Sequence, residues 1–177
     1  MVKDLPGVGQ NLRDHPTVSV LWNTNDSFPI PEDKIAPQKV ALRYNATGSP
    51  FRRDMILVMR YWTHINALVM SVTVNLAKSR GELKLNSTEI HDHPSIDYKY
   101  LQDPFDRQRM RDGIRLSADL FRREEMRDIA TGPMDPDEIT MACDEALDQW
   151  MMTRVSTSHH ISGTCKMGSP SDATSVV

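Results

Sequence analysis

Several absences narrow the reading of this sequence before any motif is weighed. There are only two cysteines, Cys143 and Cys165. They stand far apart and form no CxxC pair, so a reducing, cytoplasmic compartment is the default expectation. There is no excess of positive charge: 21 Lys and Arg against 24 Asp and Glu give a formal net charge of −3. Phosphate binding needs a clustered basic surface, so nucleic acid is not an expected partner. No apolar run approaches the ~20 residues of a transmembrane segment, and the opening MVKDLPGVGQ has no apolar core like that of a signal peptide. Internal repeats and low-complexity tracts are missing too. What remains is ordinary globular composition, 39% hydrophobic and 25% charged. The 177 residues are enough for one domain or part of one, able to bury roughly 70% of their unfolded surface. The chain opens directly on a turn motif and stops at Ser175-Val176-Val177 without a closing turn or cap, so both ends are expected to continue into a longer protein.

Along the chain, Leu5–Pro16 (LPGVGQNLRDHP) reads as a structured loop. Pro6-Gly7 and Gly9 set tight turns, and Asn11, Asp14 and His15 follow as side chains able to cap their own backbone. Thr17–Trp22 is β-branched and reads as a strand. Asn23–Pro37, with Pro29, Pro31 and Pro37, reads as a long loop, and Lys39–Tyr44 as a short helix. Asp54–Trp62 is expected as a strand buried on both faces, and Ala67–Leu76 as a second. A basic turn, Lys78–Gly81, then leads into Glu82–Leu85, which alternates as a half-buried strand should. Strand, turn, strand suggests an antiparallel hairpin. His91 and His93 would share one side of an extended segment, but zinc takes three or four protein ligands and no partner stands at a telling spacing. No metal site is assigned there, and a polar loop entering a Ser95–Tyr98 strand is expected. Asp103-Pro104 marks a helix start; Met110, Ile114, Ala118 and Phe121 form its core stripe, and Arg107, Arg111, Asp112, Arg115, Asp119, Arg122 and Arg123 its solvated face. Asp135–Glu138 repeats the capping device, with Ile139, Ala142, Ala146 and Trp150 as the apolar stripe of a last helix.

That helix delivers the chain to Thr157–Gly168, TSHHISGTCKMG. Two histidines, a Ser162-Gly163 turn and Lys166 crowd groups able to handle protons into a dozen residues. Histidine is substantially neutral at physiological pH and suits a general base. By itself this pattern also fits a histidine satisfied by its neighbours, because a site needs converging groups that spacing cannot show. Cys165 lacks a well-placed basic partner for a nucleophile's role.

Four segments together resemble the glucose–methanol–choline (GMC) family of flavin oxidoreductases: Leu5–Pro16 (LPGVGQNLRDHP), Leu76–Leu85 (LAKSRGELKL), Pro94–Pro104 (PSIDYKYLQDP) and Ser158–Gly168 (SHHISGTCKMG). They come in the family's order; the first and last are specific. The resemblance implies an α+β fold, an antiparallel sheet packed against helices as the substrate-binding domain, with partial segments of a flavin-binding α/β domain at the two ends. It implies a division into an edge segment of the FAD-binding domain (1–16), the substrate-binding domain (17–155) and a return segment (156–177). It implies oxidation of the CH–OH group of a small-molecule alcohol with hydride transfer to FAD, the final electron acceptor being unspecified. The family's catalytic histidine matches His160; His159 does not align with that role. Asn11 and His15 are the candidates for contact with the cofactor. The family's dinucleotide fingerprint belongs far upstream and is absent here, and its second catalytic residue, His or Asn, belongs beyond Val177. The isolated chain is therefore expected to be inactive. The rival reading is a non-catalytic module that binds a small molecule or a protein.

Overall fold

The structure, a computed structural model, describes residues 4–27 and 40–177. Its main element is an antiparallel sheet built from β2 (Pro16–Thr24), β3 (Ala41–Tyr44), β4 (Met55–Trp62), β5 (Ala67–Val74) and β8 (Ala130–Asp135) in the order β3-β4-β5-β2-β8, with the short β9 (Ser156–Thr157) also paired to β2. A second, three-stranded sheet orders β1 (Gln10–Leu12), β6 (Gly81–Lys84) and β7 (Ser95–Asp97). Among the described residues, three α-helices pack with the sheets: α1 (Pro104–Phe121), α2 (Glu138–Ala142) and α3 (Asp144–Arg154). This is the expected α+β arrangement.

Alternation decides which face of the large sheet is covered. Val18, Val20 and Trp22 of β2, Met55 and Leu57 of β4, and Leu68, Met70, Val72 and Val74 of β5 are buried in one cluster with Met110, Ile114, Ala118 and Phe121 of α1. Trp22 stacks on Phe121 with ring centroids 5.2 Å apart. Gly113 lets α1 sit close, since a Cβ there would press on Val72, Met55 and Tyr44. The helix starts as expected, Asp103 accepting from the Phe105 amide at 2.8 Å. The other face of the sheet carries Thr17, Ser19, Leu21, Val69, Ser71, Thr73, Val58 and Arg60, with Val69, Ser71 and Thr73 buried on it.

A buried ionic knot ties helix to sheet. Arg109, missing from the expected charged face of α1, is 1% exposed. It donates to Asp54 at 2.7 Å, to Asp106 at 2.5 Å and to the Leu76 carbonyl at 2.9 Å. Asp54 also accepts from the Ala46 amide and the Ser49 hydroxyl. Burial pushes the Asp54 carboxyl up, but Ser49, Ala46 and Arg109 outweigh it and hold it low.

Several expectations fail for identifiable reasons. Residues 41–44 form strand β3 rather than a helix, because pairing with β4 overrides weak local preference; Lys39 and most of the expected loop, with Pro29, Pro31 and Pro37, lie outside the described residues. Strand β4 is buried on one face only, with Ile56 and Val58 half-buried; β5, at the sheet's centre, is the strand buried throughout. Strands β5 and β6 do not form a hairpin. The amides of Lys78 and Ser79 are captured by Asp106, and the chain crosses to the second sheet, where β6 pairs β1 and β7. The second cap is Asp137, accepting from Thr140 at 2.7 Å, while Asp135 ends β8 and binds the Trp150 indole. The last helix breaks at Cys143 into two, and its core side is Met141, Leu147 and Met151; Ile139 is 81% exposed.

Candidate active site

The site is assembled by a lacing of the 158–164 segment along the 9–15 segment. Gly9 donates to the Thr164 carbonyl at 3.0 Å, Arg13 and Ser162 exchange backbone bonds at 2.8 Å each, and Ser158 donates from its hydroxyl to the His15 carbonyl at 2.7 Å. Strand β9 continues the pairing, Thr157 opposite Pro16. Asn11, in the left-handed region at φ 60, donates its side-chain amide to the Gly163 carbonyl at 3.2 Å and accepts from Arg13. Gly163 has φ +91 and faces the Asn11 backbone so closely that a Cβ would collide with it. Asn11 is thus a brace between the two segments.

At the centre stands Asp14, 5% exposed. Its Oδ1 accepts the backbone N–H of His15 at 2.7 Å and of His160 at 2.9 Å, and its Oδ2 accepts the Tyr100 hydroxyl at 2.6 Å. One carboxylate therefore fixes the backbones of two residues 145 positions apart. Burial works against its charge, yet hydrogen bonds from Thr157, Tyr100, His15 and His160 prevail and keep Asp14 ionised below the usual carboxylate range. Tyr100, stacked on Tyr98 at 4.8 Å, is pushed above its ordinary value by burial and then by the Asp14 carboxylate.

The two imidazoles meet above this carboxylate. His160 Nδ1 lies 2.8 Å from His15 Nδ1, with ring centroids 4.6 Å apart at 69°. His159, at φ 65, turns the chain so that its neighbour rather than itself faces His15. His160 is exposed, and His15 is half-buried. Burial first, then the neighbouring His160, depress the His15 pKa against the pull of Asp14. A cleft of about 220 Å³ opens beside His15, lined also by Arg13, Asn75 and Ser162.

Such a pair has a defined proton logic. An Nδ1–Nδ1 contact requires that one ring donate and the other accept. If His160 donates, its Nε2 is a bare acceptor, and a proton taken there leaves an imidazolium still hydrogen-bonded to neutral His15. The depressed pKa of His15 keeps it in that accepting, neutral state. No hydrogen bond to either Nε2 occurs among the described residues, so both point to free valences.

His160 and His15 are therefore brought together, with Asn11 bracing the segment that carries them. Lys166 is not: it is held by Asp172 at 2.6 Å and Thr174 at 2.7 Å. Cys165 is exposed. His91 and His93 sit exposed in a turn, and among the described residues no group of three or more His, Cys, Asp or Glu is arranged to hold a metal ion. Sequence reasoning passed over Asp14 as a loop cap and did not reach Tyr100. The adjacency of Asp14 to His15 was the available signal for the first; nothing local announces the second, 86 residues away.

The fold is shared by solved oxidoreductases. Pyridoxine 4-oxidase from Mesorbium loti superposes with a TM-score of 0.85 over 98% of this chain and 36% of its own, at 22% identity. Aspergillus oryzae formate oxidase gives 0.76 over 92% and 38%, at 19% identity. The GMC oxidoreductase family profile matches residues 77–177, more than half of the chain, and the chain belongs to that family. Among its curated relatives, the oxygen-dependent choline dehydrogenase of Paraburkholderia xenovorans is 26% identical over 95% of this chain and that of Burkholderia lata 28% identical over 95%. The chain spans about 35% of the length of these relatives. Among the described residues no helix is long and apolar enough to cross a membrane.

Proposed function

We propose that this chain supplies the substrate-binding portion of an FAD-dependent oxidoreductase acting on the CH–OH group of an alcohol, with His160 as the general base. The observation that carries the reading is the His160–His15 pair, His160 exposed and His15 half-buried at the start of β2, set on the Asp14 carboxylate. Residues 17–155 would form the substrate-binding domain, with 1–16 and 156–177 as its joins to the flavin domain.

What is present fits the reactive end of a flavin only. Two imidazoles, one exposed and one half-buried, keep Nε2 atoms without a hydrogen bond among the described residues, as a neighbouring ring and a carbinol require. A dinucleotide cradle of the strand–glycine loop–helix kind is not among the described residues: Gly7 and Gly9 are packed against this chain's own Thr174 and Leu83 carbonyls. FAD, when bound, supplies the hydride acceptor. In this reading His15 stands nearest the cofactor, and Asn11 serves it by holding the 9–15 segment in place.

The proton is the chain's task. An alcohol O–H has a pKa on the order of 16 and imidazole ~6.5, so full deprotonation before the hydride leaves is steeply uphill. His160 Nε2 instead takes the proton as the C–H bond breaks. With His160 as donor in the Nδ1–Nδ1 contact its Nε2 is bare, and the ionised Asp14 below stabilises the cation formed. Without the remaining two thirds of the relatives' length, this chain alone is expected to show no turnover.

The test is rapid mixing of the full-length protein with alcohols and measurement of flavin bleaching. H160A should slow it by about 10²–10⁴-fold. An unchanged rate removes His160 from the mechanism.

A further inference from the structure

The face of the large sheet opposite α1 is ordered in rows, buried along β5 and half-buried along β2 and β4. Strand register places Thr17, Thr73, Ile56 and Arg43 side by side across four strands, then Ser19, Ser71, Val58 and Ala41, then Leu21, Val69 and Arg60. By alternation His15 precedes Thr17 on the same face, so the imidazole pair stands at the head of the first row. The β2 and β5 positions of the first two rows are small and hydroxylic, Thr17, Ser19, Ser71 and Thr73: Thr73 donates to Thr17 at 2.8 Å, and Thr17 to the Val72 carbonyl at 3.3 Å. Two cations flank them, and none of the residues in these rows is acidic. Arg43 and Arg60 take part in no ion pair among the described residues, whereas Arg107, Arg109, Arg111 and Arg115 of α1 all do. The Arg60 Nε is shielded from solvent without a hydrogen-bond partner among the described residues. The charge of Arg43 reaches the site, being one of the influences that lower the His15 pKa.

From this we infer that the substrate is an alcohol carrying a carboxylate, its anion held by Arg43 and Arg60 over the Thr/Ser floor while its carbinol lies at His160. The inference rests on the alcohol-oxidation reading and adds the substrate's charge. Strands are spaced ~4.8 Å apart, so Arg43 lies three spacings from Thr17 in the same row. The matching molecule separates carbinol from anion by one to two strand spacings, roughly 5–10 Å. Guanidinium suits a carboxylate because its N–H fork matches both oxygens. An ammonium alcohol such as choline would meet two like charges and no carboxylate in these rows.

The experiment uses the full-length protein with 4-(hydroxymethyl)benzoate, 4-methylbenzyl alcohol and choline as substrates, and benzoate as a non-reacting ligand followed by calorimetry. The carboxylate alcohol should have a kcat/KM at least about tenfold above the neutral one, with choline lowest. R43M should raise KM for the carboxylate about tenfold more than for the neutral alcohol, R60M by a smaller factor, and R43M should weaken benzoate by a similar tenfold. Equal use of charged and neutral alcohols, preference for choline, or an equal loss on both in R43M overturns the inference. So does loss of bound flavin from R43M, which would assign the arginine to the cofactor's phosphates. Benzoate binding that depends on Arg43, in a protein that oxidises no alcohol, keeps the anion site and refutes the oxidation reading instead.

Discussion

Two carboxylate-centred clusters in this protein join distant parts of the chain, and they are finished differently. Around Arg109 the ions are sealed. Asp54 and Asp106 are fully buried, their oxygens are taken up by Arg109, Ser49 and the amides of residues 46, 78 and 79, and the guanidinium lies over the Phe105 ring at 4.5 Å. Around Asp14 the carboxylate is equally occupied, but what it holds is not: the imidazoles it positions meet at Nδ1 and leave Nε2 open. The sealed cluster meets its carboxylate oxygens, because an unmet buried ion is costly, although the Arg109 Nε is buried with no hydrogen-bond partner among the described residues. The Asp14 cluster leaves Nε2 of each imidazole without a hydrogen bond among the described residues, as the proposed proton transfer requires.

The contrast can be broken most sharply at Arg109. R109A strands two buried carboxylates and should cost about 3–5 kcal/mol, read as loss of the cooperative unfolding transition in denaturant. H160A, at the exposed end of the other cluster, should leave that transition in place while slowing flavin reduction; instability in H160A would make the pair structural. D14A removes the acceptor shared by two backbones and a tyrosine, with an expected loss of about 1.5–3 kcal/mol and a slower reaction besides. The sign of its pH dependence follows from the lowered pKa of Asp14. The stabilisation is fully present above ~3.9 and is lost as pH falls through the folded value, so denaturation curves of wild type and D14A should converge in acid.

His15 sharpens the same comparison more gently. Its pKa is depressed, so just below ~6.5 the unfolded chain takes up a proton that the folded chain resists. Stability should rise with pH through that window, and H15Q should flatten the slope. The smallest effect is expected at an exposed pair, Arg122 with Glu138 at 2.5 Å, where E138Q should cost under about 1 kcal/mol.

Much of the fold was legible because its signals are local. The β-branched run at 17–22, the Asp103-Pro104 start and the Met110–Phe121 stripe each carry their own instructions. Elements that depend on distant partners were not. Residues 41–44 become a strand only beside β4, and β6 leaves β5 only because Asp106, 27 residues on, captures the Ser79 amide. The apolar stripe of the last helix was misread because Cys143 interrupts its phase. At the site, His160, His15 and Asn11 stood out by residue type and motif. The tyrosine under Asp14 and the arginine rows did not, since strand register, which aligns Arg43 with Thr17, is written in no single segment.

The lacing of residues 9–15 with 158–164 also has a temporal meaning. During synthesis the N-terminal half of the lace must wait until some 145 further residues have left the ribosome. Long-range closure of this kind is slow. The imidazole pair should therefore be the last feature of this chain to mature, and a ribosome-bound nascent chain halted before position 158 should carry a packed sheet and helix but no paired imidazoles.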